Sequence, residues 1–339
     1  MSCKVPFVEY GKSYLQIKRE VLPEINRVLS KGKLILQEDV EKFEKKLASY
    51  CATKYAVGLN SGTDALVLAL KALGIGKGDE VITTGYTFWA TVESIINVGA
   101  KPVLCDIGED LLIDISSIAG KITNKTKAII PVHIGGARCN MEEIMKIAKK
   151  NNLKVIEDSA QGLGTGKPLG DIQTYSFYPA KVLGCYGDGG AITTNDEELY
   201  NKIILLRNHG GKPHPVLAGH NSRLDNLQAA ILNIKIKHLN KMIKRRREIA
   251  KIYNKELGFN TKSITFQEYN YRTDDRDGLY NFLKENGIET IKGDYGFPLK
   301  VPKECQTAND SILRLPIWTT LSDKQIKYVC KKINEYKGR

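Results

Sequence analysis

Two hydrophobic rhythms alternate along the first half of the chain. In LQEDVEKFEKKLASYCA, residues 36–52, Val40, Phe43, Leu47 and Tyr50 recur at helical spacing. The short apolar run YAVGL follows and reads as a strand. NSGTDALVLALKALG then sets small polar residues ahead of an apolar helix. Next come a strand at DEVIT, a helix around FWATVESIINVG, and strands at KPVLCDI and AIIPVH. NMEEIMKIAKKNN predicts a helix capped by Asn140, with Ile144, Ile147 and Ala148 facing inward, and LKVIED predicts another strand. Strands alternating with helices predict an α/β fold from about residue 53 to 160, its sheet mainly parallel and covered by helices on both faces.

The rhythm then changes. QTYSFYP and GGAITT predict adjacent strands joined by a loop that carries Lys181. DEELYNKIILLRNHG reads as a helix, and a long charged helix is predicted over about 222–257. The tail holds short elements at ITFQEY and GIETI and helices at RDGLYNFLKENG and SDKQIKYVCKKINEY, the pattern of a small α+β lobe. A chain of 339 residues exceeds one ordinary core. The expected division is a large α/β domain over residues 1–235 and a shortened C-terminal small domain over 236–339.

Composition narrows the function classes. The hydrophobic share of 42% and charged share of 26% are those of a globular protein. No apolar run is long enough for a transmembrane helix, and the opening MSCKVPFVEYGKSYLQ lacks a signal peptide's apolar core, so no membrane partner and a cytoplasmic location are expected. The seven cysteines form no C-x-x-C pair and the five histidines show no zinc-type spacing, so reduced, mostly buried thiols and no metal are expected. The net charge of +13 comes mostly from dispersed lysines. Its one dense cluster, KMIKRRREIAK at 241–251, reads as a solvated helix face and not as a nucleic-acid contact. A diffuse positive field also attracts small anions such as a sugar nucleotide or a phosphorylated cofactor.

Four stretches place chemistry at strand ends or helix starts, where open α/β sheets bind ligands. NSGTDAL sets Ser61, Gly62 and Thr63 before an apolar helix, either as a cap or as an anion site built on free N–H groups. VIEDSAQGLG ends an apolar strand on Asp158, with Gln161 three residues on; the acid is either a cap or a partnered functional carboxylate. SFYPAKVLGCYGDGG follows Ser176 with Lys181, either a surface lysine or an amine held in a pocket, able to form a Schiff base. Gly187, Gly189 and Gly190 would let the backbone turn there. TTGYTFWAT offers adjacent aromatics, Phe88 and Trp89, for stacking on a flat ring or for the core. Taken together, the set suits pyridoxal phosphate, which needs a phosphate cradle, a lysine, an acid at its ring nitrogen, a stacking partner and a donor near its phenolic oxygen.

These residues also carry a resemblance. VGLNSGTDALVLALKALGIGKGDEVI, TFWATVESIINVGAKPVLCDI, AIIPVHIGGARCNMEEI, VIEDSAQGLG, SFYPAKVLGCYGDGGAITTND and GHNSRLDNLQAAIL resemble the DegT-type pyridoxal-phosphate-dependent nucleotide-sugar aminotransferases. RDGLYNFLKENGIET and ILRLPIWTTLSDKQIKYV resemble that family's closing blocks. The resemblance implies a type I aminotransferase fold and a homodimer with active sites shared across the interface. It implies that Lys181 bonds the cofactor, Asp158 pairs with the pyridinium nitrogen and Gln161 lies near the phenolic oxygen. Gly62, Thr63 and Ser176 would hold the phosphate, Phe88 would stack on the ring, and Asn221 would reach the cofactor phosphate of the neighbouring subunit. The implied reaction moves an amino group from an amino acid, glutamate by expectation, to a keto-sugar linked to a nucleotide diphosphate. Lys181 also sets the chain apart from the family's dehydratase branch, which lacks it.

The chain departs from the family's pattern in the small lobe. ITFQEYNYRT stands in place of a YHLY-type strand, IKGDYGFPLK in place of a His–Tyr–Pro segment, and the lobe is short. Gln37 replaces a common glycine and Thr84 a common proline. Two alternatives follow from these departures: an aminotransferase acting on a cyclitol or free keto-sugar, or a non-catalytic regulatory or scaffold homologue.

Overall fold

The computed structural model describes residues 3–338. Two helices, α1 (Tyr10–Lys31) and α2 (Glu38–Cys51), precede the sheet. The residue pattern did not predict α1, because its apolar stripe is thin: Val21 and Val28 are its buried residues. α2 buries Val40, Phe43 and Leu47 as its spacing predicts.

There follow β1 (Tyr55–Leu59), α3 (Gly62–Ala72), β2 (Glu80–Thr84), α4 (Trp89–Asn97), β3 (Lys101–Cys105), α5 (Ile115–Ala119), β4 (Thr126–Ile130) and α6 (Met141–Lys150). Then come β5 (Lys154–Asp158), β6 (Ile172–Ser176), β7 (Gly190–Thr194) and α7 (Glu197–Arg207). The seven strands lie in the order β1-β7-β6-β5-β4-β2-β3. β7 runs antiparallel to β1 and β6, and the other neighbouring pairs are parallel. Every strand except β7 therefore ends at one edge, and that edge carries the site.

Successive side chains leave a strand on opposite faces, and the core shows it. Ile129 and Val155 pack on one face with Ile144 of α6, while Ile130 and Ile156 pack on the other with Leu66 of α3. β2 and β7 are buried along their whole length, as central strands covered on both faces should be.

α8 (Asn226–Leu257) runs unbroken through the expected division at 235/236. Beyond it lie β8 (Tyr269–Arg272), α9 (Arg276–Glu285), β9 (Ile291–Lys292), α10 (Lys303–Ser311), β10 (Ile312–Leu315) and α11 (Asp323–Lys337). β10 pairs antiparallel with both β8 and β9 in a second, three-stranded sheet. The pattern misplaced the elements here. Of ITFQEY only Tyr269 enters β8. The residues before it dock on a turn of the large sheet, with Ile264 and Thr265 N–H donating to Gly136 O at 3.0 and 3.1 Å. Of GIETI only Ile291 enters β9, and the central strand β10 was not predicted. No helix among the described residues is long and apolar enough to cross a membrane.

Candidate active site

Lys181 sits in the short connection between β6 and β7. The connection folds on itself: Phe177 N–H donates to Gly189 O at 2.7 Å, Cys185 N–H to Phe177 O at 2.8 Å, and Lys181 N–H to Tyr178 O at 2.8 Å. The glycines act by space and not by the turn expected of them, since none of Gly187, Gly189 and Gly190 has a positive φ. A Cβ on Gly190 would stand 2.2 Å from Ser61 O, so glycine there lets the start of α3 approach β7.

The half-buried Lys181 lines a cavity of about 680 Å³ between the strand-end edge of the large sheet and the small sheet. Among the described residues its ammonium has no hydrogen-bond or ion-pair partner. Burial lowers its pKa, opposed by the charges of Glu268 and Asp158 and assisted by Arg314. A lysine so placed has a larger neutral, nucleophilic fraction than one in solvent.

Asp158 ends β5 and is 3% exposed. Its Oδ2 accepts from the Thr91 hydroxyl at 2.8 Å and its Oδ1 from Ala160 N–H at 3.0 Å. The Thr87 and Thr91 hydroxyls are 2.8 Å apart. Because Thr91 donates to Asp158, it accepts from Thr87, and the two threonines form a directed chain onto the carboxylate. The preceding residue faces the other way. Glu157 Oε1 accepts from Leu169 and Gly170 N–H at 2.6 and 2.7 Å, and its Oε2 lies 2.9 Å from His133 Nε2. His133 Nδ1 accepts from Cys139 N–H, which leaves Nε2 to donate to Glu157. The buried Glu157 anchors the strand end that presents Asp158.

Across the cavity, Ser61 caps α3 by accepting from Asp64 N–H at 3.1 Å. The first N–H groups of a helix have no partner within it, so Gly62 and Thr63 present donors to the cavity. Ser176, at the end of β6, is so close that a Cβ on Gly62 would stand 2.7 Å from its own Cβ. Phe88 precedes α4 and is 61% exposed at the cavity wall, while the half-buried Trp89 packs edge-on against Phe297 at 5.4 Å.

Gln161 is tied from two sides: its Oε1 accepts from Gly135 N–H at 2.5 Å and its Nε2 donates to Glu268 Oε1 at 2.9 Å. Gly62, Thr63, Phe88, Asp158, Gln161, Ser176 and Lys181 all line this one cavity. Asn221 does not. It is exposed, bridges to Asn208, and is not among the residues that line this cavity.

The small sheet supplies residues that the sequence did not single out. Arg314 Nη1 lies 3.3 Å from Glu268 Oε1, and Tyr295 OH donates to Glu268 Oε2 at 3.1 Å. The Arg314 guanidinium also sits 4.3 Å from the Tyr295 ring centroid. Burial, and then the charge of Glu268, raises the Tyr295 pKa, which keeps its hydroxyl a donor. The basic run in α8 is not simply a solvated face. Arg246 is 2% exposed and donates to Phe266 O and Gln267 O at 2.9 and 3.1 Å. The signal was its spacing, since Leu239, Ile243, Arg246, Ala250 and Tyr253 form one buried stripe. Thr91 likewise follows Thr87 by one helical turn, a pairing visible in TFWAT.

Comparison with known proteins accords with this geometry. The profile of the DegT/DnrJ/EryC1/StrS aminotransferase family matches residues 15–334. The chain is 41% identical to a pleiotropic regulatory protein of Geobacillus stearothermophilus, over 98% of each chain. It is 39% identical to the dTDP-3-amino-3,6-dideoxy-alpha-D-galactopyranose transaminase of Aneurinibacillus thermoaerophilus, over 98% of this chain and 99% of that one. Among solved structures, S. venezuelae DesV in complex with a ketimine intermediate superposes with a TM-score of 0.95 at 34% identity, over 100% of each chain. Bacillus subtilis NtdA with bound cofactor PMP superposes with a TM-score of 0.91 at 31% identity, over 100% of this chain and 86% of that one.

Proposed function

The chain belongs to the DegT/DnrJ/EryC1/StrS aminotransferase family, and on that premise we propose that it transfers an amino group from L-glutamate to a nucleotide-linked keto-sugar. It is a pyridoxal-phosphate-dependent sugar aminotransferase. The nucleotide-linked acceptor is supported by the names of relatives such as the dTDP-sugar transaminase of Aneurinibacillus thermoaerophilus. The reading further places the enzyme in the cytoplasm as a homodimer. The exposed position of Asn221, which does not line this cavity, suits a residue that serves the partner's site.

The cavity fits the cofactor by its own chemistry. It offers an amine without a partner among the described residues, a buried carboxylate fixed by two donors, and a helix start open toward Ser176 only because residue 62 has no side chain. The observation that carries the reading is the Lys181 amine, without a partner among the described residues, on the same wall as Asp158. Lys181 Nζ would hold the cofactor. The start of α3, with Thr63 and Ser176, would bind its phosphate; Phe88 would cover its ring; and Gln161 would stand at its phenolic oxygen. Bound pyridoxal phosphate supplies a sink for the electrons left when the Cα–H bond of the donor breaks. Asp158 holds a proton at the ring nitrogen, which strengthens that sink. Lys181 Nζ, lowered in pKa by burial, removes and returns the proton at the substrate carbon as general base and then acid.

The experiment is a donor and acceptor panel read by visible absorbance. The loaded protein should lose its visible band with L-glutamate and regain it with a dTDP- or UDP-linked keto-sugar. Equal recovery with a free keto-sugar or a cyclitol ketone would replace the nucleotide-linked acceptor, and a band that ignores glutamate would replace the donor. Sedimentation of the loaded protein should give a dimer, and a monomer of full activity would contradict the shared site.

A further inference from the structure

Two adjacent residues reach the two cofactor-facing groups from the small-sheet side. Gln267 Nε2 donates to Ala180 O at 3.0 Å, and its Oε1 accepts from Val182 N–H at 2.8 Å, so one side chain holds the backbone on both sides of Lys181. Glu268, the next residue, accepts from the Gln161 amide. The segment that carries the pair is itself fixed by Arg246, which donates to the carbonyls of Phe266 and Gln267, and by Glu268 N–H, which donates to Gly135 O at 3.3 Å.

The contacts also settle which way the Gln161 amide points. Gly135 N–H demands an acceptor and the Glu268 carboxylate demands a donor, so Oε1 faces Gly135 and Nε2 faces Glu268. Nε2 has a second hydrogen, which remains for a ligand. Glu268 is held in turn by Arg314 and Tyr295. Glu268 lies in the stretch ITFQEYNYRT and Tyr295 in IKGDYGFPLK.

We propose that Gln267 and Glu268 form a clasp that positions both groups the cofactor must meet: Gln267 sets the backbone carrying Lys181, and Glu268, held by Arg314 and Tyr295, sets the amide of Gln161. The clasp rests on the reading that Lys181 and Gln161 face pyridoxal phosphate. Both residues are positioning residues. The charged groups that share the cavity with Lys181 are Asp158 at the end of β5, Asp188 in the same connection as Lys181, Arg246 on α8, Glu268 before β8, Asp294 after β9 and Arg314 on β10. Glu268 favours a positive charge at Lys181, and Arg314 opposes it.

The test is a pH titration of the visible absorption of the pyridoxal-phosphate-loaded protein. Glu268→Gln keeps the shape and removes the charge, so the titration midpoint falls. Arg314→Gln leaves Glu268 unopposed, so the midpoint rises. A merely structural role would not move the two variants in opposite directions. Gln267→Ala keeps the wild-type midpoint and loses pyridoxal phosphate several-fold faster on dilution, because the backbone around Lys181 is released. Unchanged midpoints in the Glu268 and Arg314 variants, or shifts in the same direction, overturn the Glu268 half of the clasp. An unchanged rate of cofactor loss in Gln267→Ala overturns the other half. If the wild-type protein shows no visible band, the failure lies instead with the reading that Lys181 carries the cofactor.

Discussion

The two walls of the cavity are built on different plans. The large-sheet wall consists of strand ends and helix starts, each carrying one functional group in a short local motif: Ser61–Thr63, Asp158–Gln161, Ser176–Lys181. Asp158 is held from its own side of the cavity, by Thr91 of α4 and by the N–H of Ala160. The small-sheet wall consists of Glu268, Tyr295 and Arg314, drawn from three separate segments and meaningful only in combination. The contact between Gln161 and Glu268 joins the walls across 107 positions of sequence. On the proposed reading, the first wall is the one that holds the cofactor. The second holds a charge pattern that reaches the first through the contact between Glu268 and Gln161.

Substitutions can break or sharpen this contrast. Lys181→Ala should produce the largest effect, a loss of transamination of at least ~10³-fold with no visible band, measured in single turnovers with glutamate. Glu157→Ala comes next and acts on stability, because it leaves the N–H groups of Leu169 and Gly170 and the His133 ring without their acceptor in the interior. It should cost about 3–5 kcal/mol in urea unfolding. Thr91→Val keeps the volume and removes one donor from a buried carboxylate; it should cost about 1.5–3 kcal/mol and weaken cofactor binding. Phe88→Ala should be smallest in stability, within about 0.5 kcal/mol, since that ring is 61% exposed. Its effect should appear as faster loss of cofactor. If Phe88→Ala destabilised the apoprotein as much as Glu157→Ala, the large-sheet wall would not divide into anchoring and ligand-facing groups as described.

What the residue pattern revealed follows the same division. The strands of the large sheet are local, strongly patterned and mostly buried, so DEVIT, LKVIED and GGAITT each predicted a strand within a residue or two of its true span. The lysine loop between two paired strands was legible for the same reason. α1 was not, because few of its residues are buried and the helix is held by packing against α8. The small sheet was largely illegible. β9 has two residues, and the stretch before β8 forms its hydrogen bonds with the Gly135–Gly136 turn, a partner that no local pattern announces. Glu268 reads in isolation as an ordinary surface acid. Only the fold brings it to Arg314, Tyr295 and Gln161.

The central claim is that Lys181 is the residue that bonds the cofactor, and reductive trapping tests it directly. The protein is loaded with pyridoxal phosphate, reduced with borohydride, digested and mapped by mass spectrometry. The account predicts a single phosphopyridoxyl adduct, on the peptide containing Lys181, and its absence in Lys181→Ala. An adduct confined to another lysine, or one undiminished in Lys181→Ala, would contradict it.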